Sequence, residues 1–333
     1  MSDSTLPNPP TSSEPPIAKP GPSNLRLRVI WGVIGAVALL GSVWFSPWTF
    51  GVFFAFVQAV MLWEFYRMMR AGGYAPATWI GVGISFLTFC IIHVFIVGYS
   101  YYAEVFGWPL GWTVYPPISA FPEAVPRDLR IGVELLTAAI NVFYWLVGTG
   151  VLFVILILRE IILWPKQGQP FANVSATITG LVYVSLPMAF LSSVAFGKDG
   201  YDYRRVFALL FLIWASDIGA YAAGKNFGKH KMAPSISPGK TWEGWAGGFL
   251  LTLTVGWALK FMLPDVPLAH RLVAASVVAV FAPLGDLAES MLKRSVGVKD
   301  SGSIMPGHGG LLDRFDAFLL VLPVLALLQL LAG

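Results

Sequence analysis

The stretch "ESMLKRSVGVKDSGSIMPGHGGLLDRFDAFLLVLPVLALLQLL" (residues 289–331) places acids, cations, a histidine and glycines directly before an apolar run. That run is long enough to cross a hydrocarbon core about 30 Å thick. Charged side chains are costly inside a bilayer, by about 2.5 to 3.5 kcal/mol each at a helix centre on insertion scales. The stretch therefore predicts a membrane fold with a polar site at one edge.

The composition of the whole chain agrees with this prediction. Of its 333 residues 56% are hydrophobic and 12% are charged, and the mean hydropathy is +0.69. An ordinary soluble domain carries about 25% charged residues. A single cysteine, Cys90, excludes an intrachain disulfide and a cysteine-based zinc framework. We expect an all-α, polytopic membrane protein.

Nine apolar runs have a length suited to a membrane span. The first could be a re-entrant partner of the second, and the fourth is long enough to be tilted or broken. The runs are 29–46, 48–69, 77–97, 135–162, 173–196, 205–223, 245–263, 270–291 and 315–332.

The distribution of charge predicts the orientation of these spans. Most of the 22 Lys and Arg residues fall in the N-terminal tail and in the even-numbered connections, and positive residues favour the cytoplasmic side. The N-terminus and the opening stretch are therefore expected on the cytoplasmic face. We divide the chain into a disordered Pro/Ser-rich tail (1–24), an N-terminal transmembrane region (25–170) with an aromatic outer loop (98–130), and a C-terminal transmembrane region (171–333) that carries the candidate catalytic site.

Acids within the apolar runs are the strongest indication of a site. Helical spacing puts Asp286, Ser290 and Lys293 on one stripe, and Asp313 and Asp316 both project from the first turn of the last helix. Asp286 and Asp313, brought together from two helices, would repel each other. A magnesium ion held by this pair resolves the conflict, because Mg²⁺ takes one or two carboxylates together with substrate phosphates.

Asp217 has two interpretations. It lies among small residues (Ser216, Gly219, Ala220, Ala223 and Gly224) that form a face for helix packing, so it could make a structural contact between helices. It could instead hold a second cation or orient Lys240.

The segment between Asp286 and Asp313 is suited to phosphate. Its cations can bind phosphate oxygens, in the case of arginine with two parallel hydrogen bonds. Its glycines permit positive φ angles and a close approach of the backbone. His308 could donate to a phosphate or position a leaving group, although a single histidine is often structural. The residues are Lys293, Arg294, Lys299, Arg314, Gly307, Gly309 and Gly310.

A second basic segment, 224–244, contains "SPGKTWEG". It differs from the Walker phosphate loop, because Pro234 stands where a glycine is required and we expect no strand in front of it. We interpret it as a phosphate-binding loop of another kind, with a plain positive-inside loop as the alternative for its first lysines. Its polar residues are Lys225, Lys229, His230, Lys231, Ser237, Lys240, Thr241 and Glu243.

"SMLKRSVGVKDSGSIMPGHGGLLDRFD" (290–316) resembles the signature of the CDP-diacylglycerol synthases, or phosphatidate cytidylyltransferases. Every polar position of that pattern is present, and Met305 replaces its usual Leu, Ile or Phe. "SDIGAYAAGKNFGKHKMAPSISPGKTWEG" (216–244) and "WEFYRM" (63–68) are also similar to the family.

The resemblance implies a homodimeric, Mg²⁺-dependent enzyme of the bacterial inner membrane that joins CTP to phosphatidate and releases pyrophosphate on the cytoplasmic side. It places the metal on Asp286 and Asp313. Membrane lipids are expected partners and nucleic acids are not. The alternatives are a cytidylyltransferase for another lipid phosphate and a transporter of an anionic phospholipid. Substrate-binding residues are expected at Ser216, Asp217, Ser237, Lys240, Thr241, Ser290, Asp300, Gly309, Gly310 and Asp316.

Overall fold

The computed structural model describes residues 24–106, 126–165, 168–197, 200–302, 304 and 309–331. Ten α-helices and two short hairpins make up these segments. They are α1 (Asn24–Phe45), α2 (Pro47–Ala71), α3 (Thr78–Phe106), α4 (Arg127–Leu163), α5 (Pro170–Gly180), a π-helical turn (Leu181–Ser185), α6 (Leu186–Val194), β1 (Phe196–Gly197), β2 (Gly200–Tyr201), α7 (Tyr203–Phe227), β3 (Lys231–Ala233), β4 (Ser237–Thr241), α8 (Trp242–Ala258), a 3-10 turn (Leu259–Phe261), α9 (Leu268–Ser295) and α10 (Leu312–Leu331).

The chain is an all-α polytopic membrane protein, as predicted. Many large apolar side chains point outward, among them Trp79 and Ile162, which are 81% and 80% exposed. Outward-facing apolar surface of this kind suits contact with lipid. Six segments in the described part of the chain have the length and composition of spans. They are Pro47–Ala71, Thr78–Gly98, Leu146–Leu163, Pro170–Val194, Tyr203–Phe227 and Leu268–Ser295. The other three predicted spans correspond to α1, α8 and α10, which are helical but are not among these six.

Two connections between helices differ from the prediction. The predicted outer loop is shorter than expected, since α3 continues to Phe106 and α4 begins at Arg127, while 107–125 lie outside the described residues. The expectation of a chain without strands was wrong, because "SPGKT" forms β4 and pairs antiparallel with β3. In a Walker loop the phosphate-binding residues form a loop after a strand. Here "SPGKT" is itself the strand, so the segment still differs from a Walker loop. Most of the tail, 1–23, is outside the described residues.

Polar caps determine where several helices begin. Ser46 and Thr49 form a reciprocal capping box at the start of α2. Asp202 accepts a hydrogen bond from Arg204 N at 3.0 Å at the start of α7, and Thr241 Oγ1 accepts one from Gly244 N at 3.1 Å at the start of α8. These side chains satisfy amide groups that the first helical turn leaves without partners.

Helix α2 is the centre of the hydrophobic core. Phe54, Met61 and Phe65 on α2 are buried together with Met188 on α6 and Phe318 on α10. Because α2 contacts both halves of the chain, the N-terminal helices support the C-terminal region that contains the predicted site.

The even-numbered connections share one face of the helix bundle. The α2–α3 turn touches the segment after α9, since a Cβ atom on Gly72 would lie 2.8 Å from a methyl of Val296. The first turn of α5, which follows the α4–α5 connection, contacts the same α2–α3 turn, because Ala75 N donates to Asn173 Oδ1 at 2.7 Å. On the other face, Tyr201 of β2 donates to Val43 O near the end of α1 at 2.6 Å. Three of these connections, α2–α3, α4–α5 and the one after α9, therefore lie at one face.

Helices α7 and α8 cross at glycines. A Cβ atom on Gly219 would lie 2.7 Å from Gly247 O and 2.9 Å from Gly248 Cα. Small residues allow helix backbones to approach closely in membranes. The predicted small-residue face around Asp217 thus forms this contact.

Substitution of Gly219 should test the crossing. We expect Gly219→Ala to lower the stability by about 1 to 3 kcal/mol because the methyl group meets backbone atoms that cannot move independently. Gly83→Ala is the matched control, because a Cβ atom there meets no atom within 4 Å, so its stability should be unchanged or slightly increased. The measurement is thermal unfolding of both variants in detergent. Equal midpoints would contradict the assigned crossing.

Candidate active site

The ion pair between Lys293 and Asp313 joins α9 to α10. Lys293 Nζ lies 2.7 Å from Asp313 Oδ1. The other carboxylate oxygen, Oδ2, accepts hydrogen bonds from Ser301 Oγ at 2.9 Å, Ser301 N at 3.2 Å and Gly310 N at 2.8 Å. Asp313 therefore holds Ser301 and Gly310, two points of the signature segment (290–316), close to Lys293.

A second ion pair joins the β3–β4 hairpin to α9. Lys240 Nζ lies 2.7 Å from Asp286 Oδ2 and donates to Pro283 O at 3.0 Å. Ser290 Oγ donates to Asp286 Oδ1 at 3.1 Å, which confirms the predicted stripe on α9. The hairpin thus brings Lys240 to an acid that is 46 positions later in the chain.

The packing of α9 on α10 places the acids in layers. A Cβ atom on Gly285 would lie 2.6 Å from Asp316 O, so the backbones touch at this level. Asp316 lies within electrostatic range of Asp286 and Asp217. Asp313 is one turn nearer the N-terminus of α10, at the level of Glu289 and Lys293. Asp286 and Asp313 thus each bind a different lysine in this structure.

Glu289 is an acid that lies wholly inside the bundle. Its side chain is 0% exposed and faces the carboxyl groups of Asp313 and Asp316. Lys293 Nζ is 3.4 Å from its Oε1, and neither oxygen has a hydrogen-bond partner among the described residues. Lys293 is therefore shared between two acids.

Glu64 on α2 belongs to this site although its role was not predicted. It is fully buried, and its Oε2 accepts a hydrogen bond from Leu312 N, the first residue of α10, at 2.8 Å. Gly302 and Gly310 pack on its carboxylate, and a Cβ atom on Gly310 would lie 2.7 Å from Oε2. The only sequence signal was the family-like "WEFYRM", because no spacing rule connects α2 to residues so far along the chain.

The hairpin is held by Glu243 at the start of α8. The Glu243 carboxylate accepts from Lys229 N at 3.1 Å and His230 N at 3.2 Å, and His230 Nδ1 is 2.5 Å away. The hydrogen bond with His230 lowers the pKa of Glu243, which lies outside the six candidate spans, to about 2. These contacts fix the start of the β3–β4 hairpin that carries Lys240.

The remaining predicted residues fall into four groups. Ser216 and Thr241 are buried, with Thr241 serving as the helix cap, and Ser237 is half-buried in β4. Gly309 has a φ of 84°, so the predicted positive φ is confirmed there. His308 and Gly307 lie outside the described residues. The exposed residues are Arg294, Lys299, Asp300 and Arg314.

Comparison with known proteins identifies the family. Residues 26–331 match the model of the cytidylyltransferase family. The chain belongs to this family. Relatives of the family include a phosphatidate cytidylyltransferase of Bacillus subtilis (strain 168), 40% identical over 176 residues, which are 52% of this chain and 65% of that protein. Another, from Mycobacterium bovis, is 41% identical over 157 residues, which are 46% of this chain and 50% of that protein. The chain thus spans less than two thirds of the length of these curated relatives.

Replacing Glu64 should loosen the start of α10. In Glu64→Ala the Leu312 N–H loses its buried acceptor, which costs about 1 to 3 kcal/mol. We expect faster hydrogen exchange at residues 309–313. Glu64→Gln is the control, since its amide oxygen can still accept this bond and should preserve most of the protection. Unchanged exchange in Glu64→Ala would show that Glu64 does not hold this segment.

Proposed function

We propose that the protein is a phosphatidate cytidylyltransferase that converts CTP and phosphatidate to CDP-diacylglycerol and pyrophosphate. The observation that carries the proposal is the pair of lysine–aspartate contacts at one face of the bundle, Lys293 with Asp313 and Lys240 with Asp286. They lie within the segments that resemble the family signature. The names of the relatives support the same substrates.

The chain's own cations suit the proposed reaction. In the proposed reaction a phosphatidate oxygen attacks the α-phosphorus of CTP, a new P–O bond forms, and the bond to pyrophosphate breaks. Because this oxygen is already anionic near neutral pH, no strong general base is needed. Positioning and charge neutralisation then dominate. Lys240 and Lys293 are the partly buried cations that would neutralise phosphate charge. The exposed cations are Arg294, Lys299 and Arg314.

Aspartate partners hold the two lysines in place before substrate arrives. Lys293 is only 13% exposed, and Lys240 is 22% exposed. Each ammonium group can form further hydrogen bonds, because it carries three donors. A phosphate oxygen could therefore bind beside the carboxylate without breaking the ion pair.

The acids of this site also fit a divalent cation. Asp217 and Asp316 each lie within electrostatic range of Asp286, which is paired with Lys240. Among the described residues no cluster of three or more potential ligands has the geometry of a metal site, whereas Mg²⁺ commonly uses only one or two carboxylates plus phosphates. On the family resemblance, we propose that Asp286 and Asp313 would hold Mg²⁺. Bound Mg²⁺ would neutralise phosphate charge.

The proposed function also requires a particular arrangement of the chain in the membrane. We propose nine spans, with α1, α8 and α10 added to the six candidates, a cytoplasmic N-terminus, and an active site on the cytoplasmic face of a bacterial inner membrane. The shared face of the even-numbered connections supports this arrangement. CTP would reach the site from water and phosphatidate from the membrane. We propose a homodimer on the family resemblance alone.

An assay with the purified full-length chain tests the activity. Labelled CTP, phosphatidate and Mg²⁺ should give CDP-diacylglycerol and pyrophosphate, and EDTA should abolish the reaction until Mg²⁺ is restored. Replacing phosphatidate by an isoprenoid phosphate distinguishes a cytidylyltransferase with another acceptor. If no metal condition releases pyrophosphate with either acceptor, the proposed function is wrong.

Asp313→Asn tests the central carboxylate. The substitution keeps the shape of the side chain but removes the charge that faces Lys293, so we expect turnover to fall at least about 100-fold, as for loss of one strong electrostatic contact in an active site. Asp265→Asn is the matched control, because Asp265 is half exposed in the α8–α9 connection and lies 3.7 Å from Arg204. Both variants should remain folded by thermal unfolding. Activity of Asp313→Asn equal to that of the control would refute the assignment.

A further inference from the structure

A cavity separate from the candidate active site lies where α2, α3 and α4 meet. Its volume is about 490 Å³, within the range of small-ligand sites. Arg70 at the end of α2 and Arg159 near the end of α4 line it, together with Trp63 and Trp79. Two guanidinium groups from different helices therefore converge on one opening.

The inner wall of this cavity is built from buried polar contacts. Asn173 is 2% exposed and Glu160 is 4% exposed. Asn173 Nδ2 donates to Glu160 Oε2 at 2.9 Å, and Ala75 N donates to Asn173 Oδ1 at 2.7 Å. Ala77 N donates to the buried Thr177 Oγ1 at 2.8 Å. The 75–77 turn is thus fixed from behind by α5, so the cavity is preorganised.

The two arginines retain donors that can bind a ligand. Arg159 Nη1 donates to Ala75 O at 3.1 Å and pairs with Glu160, while Arg70 Nη1 donates to Thr78. Within the part of the chain that the structure describes, Nε and Nη2 of both side chains make no further hydrogen bond. Arg70 also has no acidic partner there, so the cavity carries net positive charge.

The surroundings of the cavity favour a ligand with acyl chains. Trp79, Leu158, Ile161 and Ile162 nearby are 81%, 52%, 64% and 80% exposed, which is the surface expected where helices meet lipid. Tryptophan is favoured at the interface between hydrocarbon and water. A planar guanidinium group binds phosphate oxygens with two parallel hydrogen bonds. The chemistry therefore matches a phosphate that is attached to a lipid.

We propose that this cavity binds the phosphodiester headgroup of an anionic phospholipid, with Arg70 and Arg159 on the phosphate and the acyl chains along Trp79 and α4. The site is separate from the proposed transfer chemistry. The α2–α3 turn that forms it also touches Val296, beyond the last turn of α9. A lipid here would consequently lie beside the signature segment on the same face of the bundle.

The test uses the purified full-length chain in detergent, titrated with dioctanoylphosphatidylglycerol, with bound lipids counted by native mass spectrometry. This lipid lacks the phosphate monoester that the proposed reaction requires, so its binding is independent of turnover. We expect one tightly bound lipid in the wild-type chain. Arg70→Gln should weaken binding about tenfold or more, as for loss of a charge-assisted hydrogen bond. Arg159→Lys, which keeps a cation beside Glu160, should also weaken it.

Three controls make the result decisive. Lys260→Gln removes one positive charge in the turn after α8, where the ammonium group lies over Trp257 and outside the cavity lining, and it should bind like the wild type. Dioctanoylphosphatidylcholine should bind more weakly than the anionic lipid. Equal affinity of Arg70→Gln and Lys260→Gln, or equal affinity for the two lipids, would overturn the proposal. Displacement of the lipid by inorganic phosphate at a similar concentration would assign the cavity to free phosphate and overturn it as well.

Discussion

The need to neutralise carboxylates beside a hydrocarbon phase dominates this structure. Asp313 meets that need through Lys293, and the same carboxylate holds Ser301 and Gly310 with its second oxygen. One side chain thereby determines how α9, α10 and the segment between them fit together. Removing a partner from a buried pair is costly, because the remaining charge stays uncompensated. The site and the helix packing are therefore inseparable at this point.

Much of this arrangement could be predicted from periodicity and charge. Apolar runs located the helices, including the six segments with the length and composition of spans. Helical spacing also put Asp286, Ser290 and Lys293 on one stripe. Spacing identifies the face of a helix, however, and not the side chain opposite it. For this reason the pairing of Lys240 with Asp286 could be found only in the folded chain.

Two further features escaped prediction for specific physical reasons. The β4 strand contains Pro238 and Gly239, residues that strands usually avoid. Glu243 supports the hairpin by accepting hydrogen bonds from the backbone just before β3. Glu64 appeared to be one acid on an otherwise apolar helix. Its hydrogen-bond partner, Leu312, is 248 positions away, beyond the reach of any local pattern.

The position of Glu64 has a consequence for how this chain could be divided. The signature segment and the β3–β4 hairpin both lie in the C-terminal half. Their position alone would suggest that this half folds without the N-terminal helices. The amide of Leu312 nevertheless depends on a carboxylate from the second helix, and Gly302 and Gly310 pack against that carboxylate. A shortened chain without α2 would leave the buried Leu312 amide without its acceptor. Co-production of the two halves, rather than truncation, is the workable way to dissect the molecule.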